Sequence, residues 1–143
     1  MPIFNERHYQ TASHKPDIAG YQTDLRLALS QCATTEAREG LLRGEVIEMT
    51  RHVTDGIRDL IKNDRRIRNL VLNQGAVPLA SWTNALDGMA QRPLPVLKTQ
   101  IATMHRDLEQ GKIQGFPGTM VLYGKPTFAT LEDFFAVVFS EAE

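Results

Sequence analysis

The chain has 143 residues, 42% of them hydrophobic and 23% charged. That suits one domain, which buries roughly 68–70% of the surface its unfolded chain exposes. Its 16 Lys and Arg against 17 Asp and Glu leave a net charge of −1, which excludes a strongly basic nucleic-acid coat and an acidic disordered tail. The lone Cys32 excludes an intramolecular disulfide and any cysteine-based zinc cluster. No segment approaches the roughly 18 consecutive apolar residues of a membrane span. The first residues, MPIFNERHYQ, lack the cationic start and apolar stretch of a signal peptide. The expectation is a soluble, cytoplasmic protein in a reducing compartment.

Residues 1–16 are polar, carry no helical stripe and end at Lys15-Pro16. They read as an extended arm, ordered only if something holds it down. His8 and His14 lie on it and are expected to be exposed. Residues 17–143 read as a single helical domain. From Asp17 the apolar residues Ile18, Tyr21, Leu25, Leu29 and Cys32 recur every three or four positions, one face of a first helix. Pro16 suits its start, where a missing N–H costs nothing.

Thr34 or Thr35 is a candidate N-cap for a second helix, with Glu36 and Glu39 near the positive end of its dipole. Its stripe is Leu42, Val46, Met49, Val53, Gly56, Leu60, Asn63, Ile67 and Leu70, a coiled-coil spacing with two poor seam residues. Either one helix runs from about 35 to 73, roughly 58 Å long, or two are broken near Lys62-Asn63-Asp64. Gly40 and Gly44, one turn apart, would permit a close helix approach.

Asn73-Gln74-Gly75 ends that element, and Pro78 opens a third helix with Leu79, Trp82, Leu86 and Met89 on one face. Pro93-Leu94-Pro95 stops it. A fourth carries Leu97, Ile101, Met104 and Leu108 and ends at Gly111. Residues 113–123, with the Pro117-Gly118 turn pair, read as a small β-hairpin or ordered loop. Thr130-Leu131-Glu132-Asp133 resembles a capping box that opens a C-terminal helix, Phe134 to Phe139, apolar nearly all round. Such a helix must be covered on most sides, by the core or by a second chain. The fold class is all-α, a bundle of four or five helices.

Three constellations bear on function. The aromatic terminal helix, with Phe134, Phe135 and Phe139, suits an interface, because aromatic residues are enriched in binding hot spots. Arg58, Lys62, Arg65, Arg66 and Arg68 crowd the end of the second helix and would meet an acidic partner. That basic end, a turn, and a polar helix bearing Ser81, Thr83, Asn84 and Gln91 also outline a helix-turn-helix nucleic-acid reader. Against it stand Asp87 on the reading helix and the mildly acidic chain.

The third is Glu45, Glu48, His52, Asp55 and Asp59 on the second helix, opposite His105 and Glu109 on the fourth. Two such pairs could hold a divalent ion in a metal-dependent enzyme. The spacing matches neither HExxH nor the Glu-x-x-His of di-iron bundles, and a solvated face with charge pairs explains it more simply. A phosphate loop at Gly118–Thr127 is rejected, because Pro126 stands where Ser or Thr is needed. Cys32 sits on an apolar stripe and reads as an inert thiol. No catalytic residue, metal ligand or cofactor is singled out. The reading is a non-enzymatic, regulatory accessory protein that binds another protein, or itself as a homodimer, through helical contacts. A nucleic-acid regulator is the alternative, and the metal enzyme comes third.

Overall fold

The computed structural model describes residues 2–5, 7–13, 15–63, 88, 91–109 and 128–142, with side chains for all of these except 56–63, 107–109 and 128–129. Among the described residues the chain is helical. It forms α1 (Ile18–Ser30), α2 (Thr35–Asn63), α3 (Leu94–Glu109) and α4 (Phe128–Glu141), with one isolated bridge between Gln10 and Pro16. None of these helices is long and apolar enough to cross a membrane.

α1 opens where the Asp17 carboxylate accepts the Gly20 N–H at 3.0 Å, which satisfies one of the donors that a helix start leaves unpaired. Gly20 belongs to this cap, since a Cβ there would collide with the Asp17 carboxylate. Tyr21, Leu25 and Leu29, one turn apart, are its buried face.

Thr34 caps α2, its Oγ1 accepting the Ala37 N–H at 3.0 Å. The helix continues unbroken for 29 residues, about 43 Å at 1.5 Å per residue. Leu42, Val46, Met49 and Val53 are buried in the expected seam. Gly40 and Gly44 differ from expectation. A Cβ at either would meet no described atom within 4 Å, so neither serves a close approach among the described residues.

The Pro-Leu-Pro segment opens α3 directly. The Pro93 carbonyl accepts the N–H groups of Val96 and Leu97, and Pro95 fits the first turn because it has no N–H to satisfy. Leu94, Leu97, Ile101 and Met104 form the buried stripe.

α4 begins at Phe128, so Thr130 lies inside the helix and does not cap it. Nor is this helix apolar all round. Leu131, Phe134, Phe135, Val137 and Val138 are buried, whereas Glu132, Asp133, Ala136 and Ser140 are exposed along one strip. The strip follows from helical spacing, which sends 132, 133, 136 and 140 to the same side. α4 packs against α1, α2 and α3, and α2 also packs against α3.

The segment before α1 has no helical stripe, yet it is tied into the core. Asp17 N–H donates to the Tyr9 carbonyl and Thr11 N–H to the Lys15 carbonyl, both at 2.8 Å, tying Tyr9 and Thr11 to the residues just before α1. Phe4 and Tyr9 are buried, at 4% and 5% exposure, while His8 is exposed. The third predicted helix apart from Gly88, Gln91 and Arg92, the 113–123 hairpin and any course of the second helix beyond Asn63 lie outside the described residues.

Candidate functional site

Two features stand out: a buried carboxylate in the core and an open groove at its edge. The carboxylate is Glu45, fully buried on α2. Its Oε2 accepts the Ile3 N–H at 2.9 Å, and its Oε1 accepts the Phe4 N–H at 3.1 Å and the Tyr21 hydroxyl at 2.8 Å. Three donors on one carboxylate compensate a burial that would otherwise cost several kcal/mol. Burial still dominates and raises the Glu45 carboxyl above its ordinary range, against the lowering effect of Tyr21, Ile3 and Phe4. Tyr21 is held far above its ordinary value, first by burial and then by the charge of Glu45. Tyr9 is pushed up to about 12, by burial and by its 2.9 Å hydrogen bond to Asp24.

Rings enclose this carboxylate. Phe4 meets Tyr21 at 5.9 Å, His52 at 5.4 Å and Phe134 at 5.3 Å between centroids, each near edge-to-face, the arrangement that ring quadrupoles favour. Tyr21 meets Phe134 and Tyr9 in the same way. The centre therefore joins the N-terminal segment, α1, α2 and α4. The Glu45 carboxylate ties the N-terminal segment and α1 to α2 through these three hydrogen bonds.

This corrects the expectation of a solvated acidic face. Glu45 is buried, and Glu48, His52 and Asp55 are half-buried, because Ile3 and Phe4 settle over that side of α2. His52 Nε2 lies 3.4 Å from the Glu48 carboxylate. No group of three or more His, Cys, Asp or Glu side chains among the described residues could hold a metal ion. Cys32 is half-buried, and its Sγ lies 3.7 Å from the Ala28 carbonyl one turn earlier.

The groove is a cavity of about 460 Å³ between α2, α3 and the end of α4. Leu42, Leu94 and Phe139 supply its apolar floor, while Arg38, Glu39 and Lys98 line its polar rim. Each helix contributes by simple periodicity. Arg38 stands one turn before Leu42, and Lys98 one turn after Leu94, so each cation shares a face with a floor residue. The Arg38 guanidinium donates to the Glu141 carbonyl at 2.8 Å, which fixes it against the negative end of α4. Lys98 Nζ sits 6.0 Å from the centre of the Phe139 ring, at the limit of a cation–π contact. Glu39 is paired with Arg43 at 3.1 Å, and the Glu141 carboxylate with Arg26 at 2.7 Å. The nearby carboxylates thus already face cations. The first turns of α2 and α3 add the positive ends of two helix dipoles.

Of the residues expected to meet a partner, Phe134 and Phe135 are buried at 3% and 5% exposure inside this chain's own core. Phe139 is half-buried and lines the groove. The side chains of Arg58 and Lys62 lie outside the described residues, as do Arg65, Arg66 and Arg68 and, of the helix-turn-helix outline, Ser81, Thr83 and Asn84, whereas Gln91 is exposed in a turn. Arg38 and Lys98 were not expected at a site. Their one-turn spacing from Leu42 and Leu94 is visible in the sequence, but the adjacency of α2 and α3 is not.

Comparison with protein-family models, with curated proteins and with solved structures finds no match to this chain.

Proposed function

We propose that this chain is a non-enzymatic, regulatory accessory protein, a bundle of four or five helices that docks a segment of another protein. The observation that carries this reading is the groove. An apolar floor of Leu42, Leu94 and Phe139 lies open between three helices, the kind of surface into which an amphipathic helix lays its apolar side chains. Its volume falls within the roughly 300–1,000 Å³ of ligand clefts. Phe134 and Phe135 of the terminal helix are buried within the chain, so they offer no surface to a second copy. We favour a segment of a different protein. The basic end from Arg58 to Arg68 is a second surface for the same partner or another.

The test uses the isotope-labelled full chain and three short helical peptides. All three carry the same Leu and Phe face, at i, i+3, i+4 and i+7, and their polar faces are Glu, Gln or Lys. Saturable shifts of Leu42, Leu94, Lys98 and Phe139 with at least one peptide are expected. Absence of such shifts with all three overturns the reading. A concentration-dependent mass in sedimentation, abolished by a groove substitution, would replace the foreign partner with a second copy.

A further inference from the structure

We infer that the segment docked in this groove is acidic: it seats apolar side chains on Leu42, Leu94 and Phe139 and presents carboxylates to Arg38 and Lys98. The inference rests on the docking reading above and adds the chemistry of the partner. Its ground is the distribution of charge around an otherwise apolar cavity. Arg38 on α2 and Lys98 on α3 both line the cavity, so each of two helices brings a cation to the apolar floor. The groove's own carboxylate, Glu39, pairs with Arg43, and that of neighbouring Glu141 pairs with Arg26. Thr35 and Leu94, at the starts of α2 and α3, line the same space, where helix dipoles are positive, and the negative end of α4 is met there by Arg38. A basic segment would meet like charge on both walls. A neutral one would leave both cations partly dehydrated without a counter-charge, which costs affinity.

Lys98 is the residue to probe, because Arg38 also holds the last turn of α4, whereas the Lys98 side chain is exposed and touches only the Phe139 ring among the contacts described here. The Glu-faced peptide is expected to bind about tenfold more tightly than the Gln-faced one, with the Lys-faced one weakest, and the gap should narrow as salt rises. Lys98→Glu should weaken the Glu-faced peptide by about tenfold and strengthen the Lys-faced peptide, with the melting temperature unchanged. Lys98→Met, which keeps the apolar stem, should fall between the two. Equal binding of the Glu- and Gln-faced peptides, or indifference to Lys98→Glu, overturns the acidic partner while leaving the docking groove standing. Failure of all three peptides to shift the groove overturns both.

Discussion

The Glu45 carboxylate accepts the amide proton of Phe4 at 3.1 Å, across 41 residues of sequence. One side of α2 is thereby closed by a segment that has no secondary structure of its own. The same carboxylate holds Ile3 and Tyr21, so one buried group fastens the N-terminal segment and α1 to α2. That places residues 3 and 4 at the core, about two helical turns along α2 from Arg38 at the groove.

Removing the charge tests the fastening. Glu45→Gln keeps the volume but replaces one acceptor oxygen with an NH₂ group that faces a backbone donor. The variant should lose about 1–3 kcal/mol in denaturant melts, the cost of a buried polar group left unsatisfied. Hydrogen exchange at Ile3 and Phe4 should accelerate with it. An unchanged midpoint and unchanged exchange would show that the fastening contributes nothing.

The same groups give stability a pH dependence of definite sign. Glu45 has a raised folded-state pKa against the unfolded 4.5, so the native state holds the proton more tightly than the unfolded chain. Its contribution is fully present below 4.5 and is lost as pH rises through the raised value. Tyr9, raised from 10.0 to about 12, repeats this pattern in alkali, and stability should fall again between those values. Melts across both windows check the slopes. Glu45→Gln should flatten the first, and Tyr9→Phe should lessen the second, to which the raised Tyr21 also contributes.

Core and groove aromatics should separate cleanly. Phe4→Ala and Phe135→Ala each remove a buried ring and should cost about 3–5 kcal/mol. Phe139→Ala, on a half-buried residue at the groove, should cost distinctly less and show its effect in peptide binding instead. Equal losses of stability would mean that Phe139 belongs to the core.

Gly40 offers a gain. It is exposed within α2, and a Cβ there would meet no described atom. Gly40→Ala should therefore raise stability by up to about 1 kcal/mol through helix propensity alone. Thermal melting reads this directly, and a drop would reveal a packing role at that position.

Local signals were legible wherever the physics is local. Tyr21, Leu25 and Leu29, the seam from Leu42 to Val53, and Leu97, Ile101 and Met104 each announce a buried face. Helical geometry places residues three and four apart on one side whatever lies beyond. Thr34 was readable as a cap for the same reason. Even the exposed strip of α4 was present in the spacing of Glu132, Asp133, Ala136 and Ser140. The run of Phe and Val residues hides it, because high apolar content obscures the helical period.

Long-range pairing was not legible in that way. Nothing within a few residues of Phe4 reveals that its ring will stand against Tyr21, His52 and Phe134. Nothing beside Glu45 distinguishes it from an ordinary solvated glutamate, since its donors come from residues 24 to 42 positions away. The groove has the same origin. Arg38 with Leu42, and Leu94 with Lys98, are each a local pair, but only the packing of α2 against α3 and α4 makes them two walls around one floor. Periodicity along the chain decides which face of a helix is apolar. The partner that covers that face is chosen by the free energy of the whole core, which no short window of sequence contains.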